Sequence, residues 1–179
     1  MENFLHILFV WVHILGIALY VGPQFFLAFA WVPASRNIAD MPTRIQAMRT
    51  ITRRFAHIGG AGLILILIAG SFLISTWRTY YAVPDDIGFT DLRYGNIFLG
   101  KMVLLLIMLV VVGIHSFSVG PKLVDAMEAS SNGDSEAESR VAGLRKRSMV
   151  LSIAGLLLVL VIMVMGVMLN ATPYSLQES

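Results

Sequence analysis

Four long apolar segments constrain the fold of this chain more than any other feature. They cover residues 4–32, 55–76, 97–119 and 149–170 and consist mainly of Leu, Ile, Val, Met, Phe and Gly. A helix needs about 20 apolar residues to cross roughly 30 Å of hydrocarbon. Only 13% of the 179 residues are charged, against about 25% in soluble domains. The sequence therefore predicts an all-α integral membrane protein, a single domain over residues 1–179 that forms an up-down four-helix bundle.

The basic residues in the connections predict how the spans are oriented. Five Arg and Lys residues follow the first span and five more lie in segment 120–147, whereas the middle connection has only two, beside three Asp. Connections rich in Lys and Arg remain in the cytoplasm. The first and third connections are therefore predicted to be cytoplasmic and both termini periplasmic. We expect a multi-pass protein of a bacterial inner (plasma) membrane.

The composition excludes several kinds of site. The chain has no cysteine, so disulfides, thiolate metal sites and iron–sulfur clusters are ruled out. We find no sequence motif for phosphate loops, dinucleotide binding, zinc proteases or nucleophile elbows. The net charge of +2 gives no reason to expect nucleic acid. The predicted partner is the lipid bilayer.

The four histidines are the most informative polar residues, because titratable groups at membrane depth are costly and usually mark a site. His57 begins the second span and His115 lies near the end of the third. The predicted orientation places both at similar depth near the cytoplasmic face. Imidazole is a common ligand of haem iron, and two imidazoles at one level on different helices suit a bis-histidine haem. We therefore predict His57 and His115 as axial ligands of haem b.

Neighbouring residues favour the same haem site. Three glycines follow His57 closely, and small residues let a flat macrocycle approach a helix backbone. Arg53 and Arg54 precede His57 by about one turn, where their guanidinium groups could pair with haem propionates. We accordingly predict that both arginines bind the cofactor.

A second layer of polar and sulfur-containing residues lies in the predicted outer half of the spans. His6 and His13 are seven residues apart and share one face of the first span. Lys101 lies at comparable depth on the third span. The fourth span adds three methionines, Met163, Met165 and Met168. This layer predicts either a second haem near His13, whose partner ligand would be Lys101, His6 or a methionine, or a copper site.

Several short motifs resemble the copper resistance protein D (CopD) family. These are HILGIALYVG from His13, RRFAHIGGAGLILILIAG over residues 53–70, RYGNIFLGKMVLLL over residues 93–106, and the terminal LNATPY. The resemblance implies a four-helix membrane protein that handles copper through outer histidines and methionines. His6, His13 and the three methionines of the fourth span would then be the ligands.

The layout is also similar to the HemJ-type protoporphyrinogen oxidase family, which has a histidine in its first span and a lysine in its third. His13 and Lys101 occupy the matching positions here. His115 lies about one turn beyond that family's later histidine, and the family's usual closing motif is absent. This resemblance implies oxidation of a porphyrinogen with His13 and Lys101 as essential groups.

The sequence thus leaves four functions open. The main expectation is a b-type haem protein that transfers electrons with a quinol or a redox partner, alone or as a subunit of a larger complex. It would hold one haem or two and act as an electron carrier rather than a stand-alone enzyme. Its partners would be a quinone, redox subunits or further copies of the chain. The alternatives are copper transport or resistance, porphyrinogen oxidation, and a structural subunit without a cofactor.

Overall fold

Four long apolar helices dominate the structure, a computed structural model that describes residues 2–179. These helices are Phe4–Ser35, Met41–Ser75, Arg93–Ser131 and Ser135–Asn170. Each is long and apolar enough to cross a membrane. The described residues form no strand beyond an isolated antiparallel bridge between Leu92 and Glu178. The prediction of an all-α, multi-pass membrane protein is confirmed, whereas the orientation of the termini stays a prediction.

The first two long helices extend further than the apolar segments. The first consists of α1 (Glu2–Phe25), a π-helical segment (Phe26–Trp31) and α2 (Val32–Ser35), and the second is α3 (Met41–Ser75), followed by the short α4 (Trp77–Tyr80). The start of α3 is set by a side-chain cap, because the Asp40 carboxylate accepts a hydrogen bond from the Thr43 amide at 3.0 Å. Hydrogen bonds from Thr43 also lower the pKa of Asp40, so the capping carboxylate stays ionised.

The third and fourth long helices continue past their apolar parts in the same way. The third consists of α5 (Arg93–Ile114), a π-helical segment (His115–Val119) and α6 (Gly120–Ser131). The fourth is α7 (Ser135–Asn170), followed by α8 (Thr172–Ser175). Between α6 and α7 the chain reverses at Gly133, whose φ of +94° suits glycine. Asp134 then caps α7 by accepting from the amides of Glu136 and Ala137.

The chain divides into two compact units, Met1–Pro84 and Asp85–Ser179. In the first unit, α1 packs against α3; in the second, α5 and α6 pack against α7. The packing of both units into one domain stays a prediction.

Glycines bring α1 and α3 into backbone contact within the first unit. A Cβ atom added at Gly16 would lie 2.8 Å from the Gly62 carbonyl oxygen, and one added at Gly62 would lie 2.8 Å from the Gly16 oxygen. Real Cβ atoms do not approach oxygen this closely, so only glycine fits at either position. Membrane helices commonly associate through such small residues, since van der Waals packing replaces the hydrophobic effect in lipid.

Candidate metal-binding residues

His13 lies close to the backbone contact between α1 and α3. It is half-buried on α1, about one turn before Gly16, and its Nδ1–H donates to the Ile66 carbonyl oxygen of α3 at 3.1 Å. The ring also lies beside Gly70, because a Cβ there would be 3.4 Å from His13 Cε1. Donation from Nδ1 places the lone pair on Nε2, and metal-binding histidines are commonly oriented in this way.

His6 is less exposed than its position near the chain start would indicate. Only 9% of the residue is accessible. Its ring stacks on Tyr80 of α4, with 3.4 Å between ring centroids and 1° between planes. Its Nδ1 is buried without a hydrogen-bond partner in the described part of the chain. Because an unsatisfied buried polar atom is costly, this nitrogen is suited to a further ligand.

An apolar ring pair lies between the levels of these two histidines. Phe9 of α1 stacks on Phe72 of α3 with 3.9 Å between centroids. His6 and His13 are separated by about 10 Å along α1 at 1.5 Å per residue. The first unit therefore presents an imidazole, a phenyl pair and a second imidazole on successive turns.

His57 is exposed near the middle of α3. Its Nδ1–H donates to the Arg53 carbonyl oxygen of its own helix at 2.7 Å, which again leaves the lone pair on Nε2. Arg53 and Arg54 are both exposed, and a Cβ at Gly60 would meet open space. These features leave room beside His57. Since His57 and His115 belong to different units, their pairing across one haem stays a prediction.

His115 connects two helices of the second unit. It begins the π-helical segment after α5, and such segments often occur at functional sites. Its Nε2 lies 3.1 Å from Ser148 Oγ and 3.0 Å from Ser152 Oγ, both on α7. A haem iron bound at Nε2 would have to displace these two hydrogen bonds. Neither serine could be recognised as a partner of His115 from the sequence, although their spacing of four residues places them on one helix face.

Lys101 and the methionines lie where α5 meets α7. The Lys101 amine is close to the α7 backbone, since a Cβ at Gly166 would be 3.7 Å from Nζ. Met165 reaches back to α5, because its Cε would lie 3.2 Å from a Cβ at Gly100. Met168 is half-buried, whereas Met163 is 38% exposed. Of the three methionines, Met163 is therefore the most accessible to lipid.

Carboxylates and imidazoles do not cluster in the part of the chain that the structure describes. No group of three or more His, Cys, Asp or Glu residues in residues 2–179 is placed to hold a metal ion. A metal ion bound within one unit would therefore have at most two imidazole or carboxylate ligands. Its other ligands would be methionine sulfurs or backbone oxygens. Imidazole and thioether ligands favour copper over hard cations such as Mg²⁺ or Ca²⁺.

Comparison with known proteins decides the family. The sequence model of copper resistance protein D matches residues 49–169, about two thirds of the chain. The chain belongs to the copper resistance protein D family. No curated protein and no solved structure matches it.

Membership in the copper resistance protein D family confirms the first resemblance drawn from the sequence. It also favours the copper alternative over the main expectation of a haem protein, for which nothing in the comparisons gives support. His57, Lys101, His115 and the methionines of α7 lie inside the matched region, whereas His6 and His13 precede it. The roles predicted for these individual residues stay predictions.

Proposed function

We propose that this protein binds copper ions and conducts them within the membrane. The family match over residues 49–169 is the observation that carries this proposal. Copper is then the cargo of the protein rather than a resident cofactor. This assignment agrees with a chain that has no cysteine but has histidines and methionines at membrane depth.

The first unit supplies the two imidazole ligands of the proposal. Nε2 of His13 carries the ligating lone pair because Nδ1 donates to the Ile66 carbonyl. His6 offers Nδ1, which is buried and has no hydrogen-bond partner in the described residues. The two rings are about 10 Å apart along α1, so they would bind an ion in succession rather than together.

Aromatic rings cover His6 and separate it from His13. Tyr80, which covers His6, is 45% exposed, so it borders both the buried imidazole and the surroundings. The Phe9–Phe72 pair separates His6 from His13 without offering a polar ligand. An ion would therefore pass from one single-imidazole site to the other, and passage requires that neither site bind too tightly for release.

The second unit supplies soft ligands of its own. Met165 and Met168 are half-buried on α7, and thioethers favour Cu(I). We assign these two sulfurs as additional copper ligands and leave out Met163, which is more exposed. A Met165→Leu, Met168→Leu variant preserves side-chain volume while it removes both sulfurs.

The proposal is tested with the purified wild-type protein in lipid vesicles, supplied with Cu(I) under reducing conditions. We expect stoichiometric copper to remain with the protein after desalting and copper uptake to exceed that of protein-free vesicles. Mg²⁺ serves as the hard-cation control and should show neither effect. Copper retention and uptake no greater than in protein-free vesicles would disprove copper handling.

A b-type haem is the second candidate, and the geometry of His57 favours it. Its Nδ1 is held by the Arg53 carbonyl, its Nε2 carries the lone pair, and Arg53 and Arg54 are exposed one turn away. His57 would supply the imidazole and the two arginines would hold the propionates. A bound haem would supply one-electron redox chemistry.

A reduced-minus-oxidised absorption spectrum of the purified protein tests the haem candidate. If haem is bound at His57, the protein from haem-supplemented cells should show the α band of b-type haem. His57→Ala should then lose that band, while Met163→Leu should keep it. A featureless wild-type spectrum would exclude this candidate and leave the copper proposal unaffected.

A further inference from the structure

A cleft lies between α6 and α7, beyond the apolar parts of these helices. Its volume is about 670 Å³, within the range of about 300–1,000 Å³ that is typical of small-molecule sites. The cleft belongs entirely to the second unit and contains none of the proposed copper ligands. Its charged and polar lining residues are Lys122, Asp125, Ser139, Arg140 and Arg147.

The lining is suited to an anion. Three cationic side chains face a single carboxylate, that of Asp125, so the lining has a net positive charge. Arg140 is also 4.0 Å from Glu136, but both side chains are largely exposed and the pair is one turn apart on α7. Such surface pairs contribute little, so Arg140 can turn towards a stronger anionic partner.

Apart from Leu144, the other lining residues are small and leave space for a ligand. Ala126, Ala129 and Gly143 all line it. A Cβ at Gly143 would meet no atom within 4 Å. The cleft is therefore open beside Gly143, with room for a larger side chain at this position.

Exposed apolar side chains also occur on both helices on the membrane side of the cleft. Phe117, which precedes Lys122 on the third long helix, is 88% exposed. Met149 and Val150, which follow Arg147 on α7, are 56% and 54% exposed. A ligand that occupied both regions would have an anionic head beside the cations and hydrocarbon beside these side chains.

We propose that this cleft binds the phosphate headgroup of an anionic phospholipid. Lys122 and Arg147, which border the apolar parts of the two helices, bind the phosphodiester, and the acyl chains lie along those apolar parts. The cleft lies at the end of the spans where the basic residues predict the cytoplasmic face. Basic pockets between membrane helices on that side are suited to anionic lipid headgroups.

The test is a titration of the purified full-length protein in detergent with phosphatidylglycerol, followed by native mass spectrometry. The variant Lys122→Gln, Arg147→Gln removes two lining cations. The matched variant Arg145→Gln, Lys146→Gln removes two exposed cations that neighbour the cleft without lining it. We expect the lining variant to bind more weakly by about fivefold per cation removed, and the matched variant to bind like the wild type.

A third variant tests whether lipid binding needs the open space of the cleft, separately from its charges. Gly143→Leu fills the cleft without altering any charge, and leucine is a better helix former than glycine. This variant should fold, as judged by its circular dichroism, and lose phosphatidylglycerol binding. The proposal fails if both charge variants lose affinity equally, which would indicate general surface attraction, or if Gly143→Leu binds normally.

Two competing ligands test the identity of the headgroup. Phosphatidylcholine has the same phosphodiester but is zwitterionic, and it should bind at least tenfold more weakly than phosphatidylglycerol. Inorganic phosphate lacks acyl chains and should not displace the lipid at equal concentration. Equal binding of phosphatidylcholine, or displacement by phosphate, would overturn the assignment. Neither result depends on copper or haem, so the lipid proposal can be disproved while the proposed copper function stands, and the reverse.

Discussion

Replacing His13 with alanine should lower the affinity for Cu(I) by at least about 100-fold and abolish copper uptake into vesicles. Loss of a group that merely orients a metal ligand costs about 10–100-fold in affinity, and His13 is proposed as a ligand itself. Equilibrium competition with a Cu(I)-specific chromophore measures the affinity of the purified protein.

A second variant separates ligation from structure. In His13→Asn the side-chain amide can still donate to the Ile66 carbonyl, which accepts from Nδ1 in the wild type, but the imidazole Nε2 is gone. We expect this variant to melt like the wild type and still show the loss of Cu(I) affinity and of copper uptake seen in His13→Ala. If His13→Asn keeps the wild-type affinity for Cu(I), His13 has a structural role and is not a ligand.

An unrelated histidine provides the control for this experiment. His57 donates Nδ1–H to its own helix and is exposed, and no step of the copper proposal uses it. His57→Ala should therefore keep the wild-type affinity for Cu(I). Loss of copper binding in this variant as well would contradict the assignment of His13 as the decisive ligand.

The helices could be predicted from the sequence because apolar length is a local property. Each predicted span matches an observed long helix, the second to within one residue at its end, but α3 begins at Met41 rather than near residue 55, and α7 begins at Ser135 rather than near residue 149. The added turns are polar, so hydropathy does not reveal them. Their starts depend on the capping carboxylates of Asp40 and Asp134.

The surroundings of the histidines could be predicted only in part. The face shared by His6 and His13 follows from helical periodicity. The hydroxyls beside His115 and the Tyr80 ring over His6 depend on which helices meet and at what height. Periodicity along one helix contains no information on the register between two helices.

Replacing Gly62 with alanine should destabilise the protein by about 1–3 kcal/mol, the usual cost of overpacking. The added Cβ would lie 2.8 Å from the Gly16 oxygen, 2.9 Å from the Tyr20 amide nitrogen and 3.0 Å from Leu19 Cβ. Two of these atoms belong to the α1 backbone, so no flexible side chain can move aside and the two helices must separate. A melting temperature lower by several degrees in detergent is the expected measurement.

The affinity for Cu(I) should also fall when the contact between Gly16 and Gly62 is disrupted. Separation of α1 from α3 moves the Ile66 carbonyl away from His13 Nδ1, whose bond at 3.1 Å fixes the orientation of the ring. We expect Gly62→Ala to bind Cu(I) about 10–100-fold more weakly even below its melting temperature, the usual cost of losing an orienting partner. Gly60→Ala is the matched control, because it adds the same methyl group two residues away on α3 into open space. If Gly62→Ala melts and binds copper like Gly60→Ala, then close packing of α1 against α3 does not position His13.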